Sequence, residues 1–215
     1  MRYQCVIFDL DGTILDTLGD LKNAVNHALT KRGYAARSLE EVRAFVGNGV
    51  KNLIERAVPQ GTAAEEIPEI LADFKAYYNE HLNVATHPYA GIPELLRDLR
   101  AAGIKVGVNS NKYDAAVQLL MQAHFPGLYD KALGESAGIP RKPSPAGVEN
   151  LLQSLRVGKE DAVYIGDSGV DIETARNAGL NMIWVSWGFR RPEEMQPVPE
   201  RRADSVEDLR RALLG

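Results

Sequence analysis

From residue 92 onward the chain alternates without a break between amphipathic helical stretches and short apolar runs. A helix pattern at 92–101 has Pro93 in its first turn and Gly103 past its end, and a strand run follows at 104–108. The alternation continues as helix near 113–123, strand 129–133, helix 145–155, strand 162–166, helix 171–178, strand 182–186 and a final helix near 205–214. Strands separated in this way join through right-handed crossovers into a parallel sheet covered by helices on both faces. With the apolar run at 3–8 as the leading strand, five core strands are expected.

The leading strand and the run at 104 lie much farther apart than the roughly 30 residues that one crossover needs. The excess is helical. Leu21, Ala24, Val25, Ala28 and Leu29 share one face of a helix that Gly33 can end, and Leu53, Ile54, Ala57 and Val58 mark another after Gly47-Asn48-Gly49. Ile67, Ile70, Leu71, Phe74, Tyr78 and Leu82 form a further stripe. Ser38 with Glu41, and Thr62 with Glu65, have capping-box spacing and announce helix starts. The expected architecture is α/β: a Rossmann-like parallel sheet core of residues 1–15 and 84–215, with a helical cap domain of residues 16–83 inserted after strand one. Ligands of such sheets bind outside the carboxyl ends of the strands, so a cap leaving from that end is expected to act as a lid.

Composition narrows the function. With 25 basic and 29 acidic side chains the net charge is −4, which supplies no basic field for nucleic acid. No apolar stretch approaches the roughly 18 to 20 residues that span a bilayer, and Asp9 and Asp11 interrupt the N-terminus before a signal-type segment could form. A cytoplasmic protein is expected, monomer or homodimer, with neither nucleic acid nor membrane as partner. Cys5 is the only cysteine, which excludes an internal disulfide and a Cys-based zinc site. His27, His81, His87 and His124 fit no metal spacing, and Tyr77 and Tyr78 are expected in the cap core.

The residues just past the strands carry the chemistry. Asp9 and Asp11 follow the first strand, Ser110-Asn111-Lys112 the second, Arg141-Lys142 the third, and Asp167 and Asp171 the fourth. A single loop Asp is ordinarily a turn former or a helix cap, which accounts well for Asp171. Carboxylates converging on one sheet edge need balancing positive charge, and oxygen-only ligation suits a hard cation such as Mg²⁺.

At Phe8-Asp9-Leu10-Asp11-Gly12-Thr13 the chain resembles the haloacid dehalogenase superfamily, in its branch of Mg²⁺-dependent phosphatases, and the resemblance covers essentially the whole chain. The family's first motif, DxDG[TV], is met by Asp9, Asp11, Gly12 and Thr13, and its second by Ser110 after Val106-Gly107-Val108. Lys142 before Pro143 meets the third, and Gly166-Asp167 with Asp171 meets the fourth, GDxxxD. The resemblance implies that Asp9 is the nucleophile, forming an aspartyl-phosphate, with Mg²⁺ held by Asp9, Asp167 and the backbone carbonyl of Asp11. It further implies that Lys142 adds positive charge, that Ser110, Thr13 and Asn111 meet the phosphate, and that Asp11 serves as acid and then base. The demand for cations is physical: at ~4 Å two like unit charges repel by about 4 kcal/mol at an effective dielectric of about 20.

Family members that cleave carbon–halogen or carbon–phosphorus bonds lack an acid at the Asp11 position, so Asp11 favours phosphate esters or anhydrides. Mutases of the β-phosphoglucomutase type carry a histidine where this chain has Leu21. Asp16-Thr17, Asp20-Leu21 and Phe45-Val46-Gly47-Asn48-Gly49-Val50 resemble the cap of phosphoglycolate phosphatases, the nearest subfamily. Gly47, Asn48 and Gly49 there precede a helix whose N–H groups could bind a substrate carboxylate, with an ordinary helix-to-helix turn as the equal alternative. The expected substrate is a small phosphorylated metabolite, 2-phosphoglycolate first. Pyrophosphate or sugar phosphates handled by the same machinery, and a phosphate-sensing regulator without turnover, are the alternatives.

Overall fold

The computed structural model describes residues 3–195, 199 and 201–215, and it divides into two compact units, Met1–Leu15 with Pro88–Gly215 and Asp16–His87. The chain opens with β1 (Cys5–Phe8), buried throughout, and leaves the first unit through β2 (Leu15–Asp16). The second unit holds α1 (Leu18–Thr30), α2 (Leu39–Phe45), α3 (Gly49–Ala57) and α4 (Ile67–His81). The chain returns through β3 (His87–Pro88), which pairs with β2. There follow α5 (Ile92–Ala101), β4 (Lys105–Tyr113), α6 (Asp114–His124), β5 (Lys131–Glu135) and α7 (Ala146–Leu155). The chain ends with β6 (Ala162–Gly166), α8 (Gly169–Ala178), β7 (Asn181–Val185), β8 (Arg202–Ala203) and α9 (Val206–Leu214).

In the first unit six strands form one sheet in the order β5-β4-β1-β6-β7-β8, each neighbouring pair parallel. The chain builds outward from β1 to β4 and β5, then crosses to the other side for β6, β7 and β8. Such a reversal opens a crevice beyond the carboxyl ends of the strands that flank it. Phe8 stands beside both Val108 and Ile165, so β1, β4 and β6 deliver the residues that follow those positions to one edge. A sixth strand corrects the expected five. Arg202–Ala203 is too short for a periodic signal, and it exists because it pairs with Trp184 and Val185 of β7.

Local chemistry explains the helix bounds. In α5, Pro93 sits in the first turn after Gly91, Ile92, Leu95, Leu96 and Leu99 are buried, and the Ala102 N–H closes the end on the Asp98 carbonyl. Gly179, at φ 74°, ends α8 in the left-handed conformation that a side chain resists. One sheet face is covered by α7 and α8, whose Val148, Leu151, Leu152, Leu155, Ala175 and Ala178 pack with Cys5, Ile7, Ala162 and Tyr164. Each fully buried Leu or Val contributes about 1.5 to 3 kcal/mol.

In the second unit Ala24, Val25, Ala28 and Leu29 of α1 are buried, as are Ile70, Phe74 and Tyr78 of α4, and the two helices pack together. Tyr77 departs from the expected core position and lies half-buried, stacked between His27 and His81 with ring centroids 4.2 and 4.0 Å away. Ser38 and Glu41 form the expected capping box, whereas Thr62 and Glu65 do not. The Thr62 hydroxyl donates to the Pro59 carbonyl at 2.8 Å, and α4 starts only at Ile67, with Pro68 in its first turn. This unit also runs to His87, past the boundary expected at residue 83. The reason is Asp20, which is buried and accepts from the backbone N–H of Val84, Ala85 and Thr86 at 3.1, 2.9 and 2.8 Å, and from the Thr86 hydroxyl at 2.8 Å.

Candidate active site

The turn after β1 is tight. Asp9 continues the ladder through its N–H to the Ile165 carbonyl at 2.8 Å, and the N–H groups of Thr13, Ile14 and Leu15 all return to the Leu10 carbonyl. Gly12, at φ 82°, lets this turn lie against Asp167, since a Cβ there would meet the Asp167 carboxylate. Asp9 itself is buried, with its Oδ1 2.8 Å from the Lys142 ammonium.

Asp167 follows β6 and is held by the Phe189 N–H, which donates to its Oδ2 at 2.6 Å, while the Thr13 hydroxyl lies 3.5 Å from its Oδ1. Asp171 is the third residue of α8. It completes a capping box with Ser168, whose hydroxyl donates to Oδ2 at 2.6 Å, and its Oδ1 accepts from Lys142 at 2.7 Å and from the Tyr164 hydroxyl at 3.2 Å. The helix-cap reading of Asp171 is therefore correct but incomplete, because the same carboxylate also grips the ammonium that faces Asp9.

The second strand runs farther than expected. β4 continues to Tyr113, with a register shift against β5 between Asn109 and Tyr113, so Ser110, Asn111 and Lys112 belong to the strand and are buried. The Ser110 oxygen accepts from the Lys112 N–H at 3.1 Å, which leaves its own hydrogen to donate. Asn111 turns to the backbone of Lys142, accepting from its N–H at 2.7 Å and donating to its carbonyl at 3.2 Å. It thus positions the backbone of the lysine. Lys112, to which the sequence assigned no task, places its ammonium 2.8 and 3.0 Å from the two carboxylate oxygens of Asp11.

Gly47, Asn48 and Gly49 lie in the second unit, where they link α2 to α3. The Asn48 side-chain oxygen accepts from Arg56 at 2.9 Å, and it does not cap the helix.

One oxygen from each of Asp9, Asp167 and Asp171 falls within 4.8 Å of the others, and among the described residues no other His, Cys, Asp or Glu group has this form. Three buried carboxylates face one ammonium, and the imbalance shows in the proton affinities of Asp9, Asp167 and Lys142. Burial, then Asp171, pushes Asp9 well above the ordinary carboxylate range against the pull of Lys142. Burial, then Asp171, pushes Asp167 up to about 7. Burial draws the Lys142 ammonium down, but Asp171 and Asp9 outweigh it and hold it well above its ordinary value. An all-oxygen donor set with excess negative charge fits a hard divalent cation. Asp9 and Asp167 are the members best placed to ligate, because both oxygens of Asp171 are engaged by Lys142, Tyr164 and Ser168.

A family model described as haloacid dehalogenase-like hydrolase matches residues 6–185, a span that contains every one of these side chains. A phosphoglycolate phosphatase of Cereibacter sphaeroides is 35% identical, across 98% of this chain and 99% of that protein. One of Vibrio parahaemolyticus is 32% identical across 95% and 93%. Among solved structures, a protein of Lactobacillus delbrueckii subsp. bulgaricus provisionally named phosphoglycolate phosphatase superposes with a TM-score of 0.95 at 38% identity, covering 100% of both chains. The match thus runs through the sheet, through the turn after β1 and through the carboxylate group at its edge, and it shows that this chain belongs to the haloacid dehalogenase-like hydrolases.

Proposed function

We propose that the chain is a phosphoric monoester hydrolase acting on small phosphorylated metabolites through an aspartyl-phosphate on Asp9, with 2-phosphoglycolate as its substrate. The observation that carries this reading is the placement of Asp9, a buried carboxylate 2.8 Å from the Lys142 ammonium and beside Asp167, at the tip of the central strand. The names of the relatives support the choice of substrate.

In the first step an Asp9 oxygen attacks phosphorus as the ester P–O bond breaks, and the departing alkoxide takes a proton from the Asp11 carboxyl. In the second, water attacks phosphorus, the Asp9–phosphorus bond breaks, and Asp11 takes the proton that water gives up. The sum is ester plus water to alcohol plus phosphate, with both aspartates restored. Lys142 supplies a fixed positive charge at the attacking oxygen, and the Ser110 hydroxyl donates to a phosphoryl oxygen. Asp9, Asp167 and the backbone carbonyl of Asp11 would hold Mg²⁺, which when bound supplies charge against the incoming dianion. The N–H groups at the start of α3, at Gly47, Asn48 and Gly49, are the proposed contact for a substrate carboxylate.

A screen of phosphorylated metabolites with and without Mg²⁺ tests the reading. Release of phosphate from 2-phosphoglycolate should exceed that from pyrophosphate and hexose phosphates, and EDTA should abolish it. Asp9→Asn should lower turnover by at least about 10³-fold, the scale on which single catalytic groups act. Undiminished turnover by that variant would remove the covalent mechanism.

A further inference from the structure

Asp11, in the role proposed above, must present one carboxyl oxygen to two different partners in succession, first the leaving oxygen and then water. A general acid works only within hydrogen-bond reach of the proton's destination, and the terminal torsion of an aspartate is broad and roughly two-fold. Something must fix that carboxyl. Asp11 lies outside the group in which Asp9, Asp167 and Asp171 bring their carboxylate oxygens together.

The Lys112 ammonium lies 2.8 Å from Asp11 Oδ1 and 3.0 Å from Oδ2, with the two side chains only 3% and 15% exposed. A buried ammonium that meets both oxygens makes two charge-assisted hydrogen bonds to them, which tether the carboxyl to β4 and restrict its swing. Lys112 is itself well seated. It lies in β4, the neighbour of β1, with its N–H on the Ser110 oxygen at 3.1 Å, and its carbonyl is packed so closely by β5 that a Cβ on Gly134 would come within 2.6 Å of it. The same short strand segment therefore orients Ser110, through Asn111 orients Lys142, and through Lys112 reaches Asp11.

We propose that Lys112 is the positioning residue of the acid–base step, holding the Asp11 carboxyl in the orientation from which it delivers its proton to the leaving alkoxide. This assignment rests on the phosphatase reading. In kcat/KM, which reports the first step alone, its signature is dependence on the leaving group: an alkoxide must be protonated as it departs, whereas p-nitrophenolate leaves without a proton.

The experiment compares kcat/KM for 2-phosphoglycolate, or the alkyl phosphate that the wild type turns over fastest, with kcat/KM for p-nitrophenyl phosphate. Lys112→Met should lose about 10²-fold on the alkyl ester, the cost of misplacing a reacting group by about 1 Å, and less than about tenfold on the aryl ester. Lys112→Arg, which keeps two donors for the two oxygens, should recover most of the loss. In an Asp11→Asn background, Lys112→Met should cost less than about threefold more, because residues that act as a unit are not additive. Equal losses on both esters, or a full further loss in the Asp11→Asn background, would overturn the assignment and leave the phosphatase reading standing. If Lys112→Met does not fold, the double variant measured against Asp11→Asn, which leaves no buried charge without its partner, carries the test. A wild type that releases phosphate from neither ester would overturn the function and this assignment together.

Discussion

Asp167 is pushed up to about 7 by burial and by Asp171, while an aspartate in the unfolded chain releases its proton near ~4. Between those values the metal-free folded protein binds more protons than the unfolded chain, so its stability falls as pH rises through that window. A divalent cation that takes the ionised form works against this fall. Mg²⁺ should therefore raise the melting temperature of EDTA-treated protein clearly at about pH 8 and little at about pH 5, with a gain of about 2.7 kcal/mol at ~100-fold excess over Kd. Equal shifts at the two pH values, read by thermal unfolding, would count against Asp167 as a ligand. Gly188 tests the same carboxylate sterically, because a Cβ there would collide with the Asp167 Cβ and the Gly12 carbonyl. Gly188→Ala should cost about 10²-fold in kcat/KM, and wild-type kinetics from that variant would show that this close approach is not required.

Among the elements, α1 carries the most exposed dependency, for its Asp20 alone gathers three backbone N–H groups and a hydroxyl from residues 84–86. Asp20→Ala would take the acceptor from all four donors and leave the N–H and hydroxyl of Thr86 buried without it, at a cost on the order of 3 kcal/mol. Amide exchange at Val84, Ala85 and Thr86 should accelerate in that variant while β1 keeps its protection, and unchanged exchange at the three amides would refute the dependency. Elements set by local chemistry could be read from the sequence: the Ser38–Glu41 cap, and α5 with its Pro93 and its stripe of leucines, stand where spacing put them. Thr62–Glu65 has identical spacing, yet a turn onto the Pro59 carbonyl takes the hydroxyl first. The polar end of β4 could not be read as strand, because Asn111 and Lys112 are buried there against tertiary partners, Lys142 and Asp11, that lie far off in the sequence. The site divides in the same way. Its carboxylates and Lys142 lie in short motifs, whereas the tasks of Lys112, Asn111, Tyr164 and the second face of Asp171 arise from pairings between distant segments, which no local spacing encodes.

At the scale of the whole molecule, β1 occupies the middle of a six-stranded parallel sheet, and the residue proposed to take the phosphoryl group stands at its tip. No described helix is long and apolar enough to cross a membrane. The chain contains 2 tryptophans, and both indole N–H groups end on the backbone of this edge: Trp184 donates to the Asp167 carbonyl at 2.8 Å and Trp187 to the Thr13 carbonyl at 3.1 Å. Their fluorescence is thus wired to the residues expected to meet the ion and the phosphate. Titrating Mg²⁺ or inorganic phosphate into unlabelled protein should change the emission saturably, and Trp184→Phe should remove part of the signal. A flat emission trace over a range that alters turnover would show the indoles to be bystanders. Otherwise the protein carries an intrinsic optical gauge of its own occupancy, and affinities can be followed without a dye, a coupled assay or catalysis.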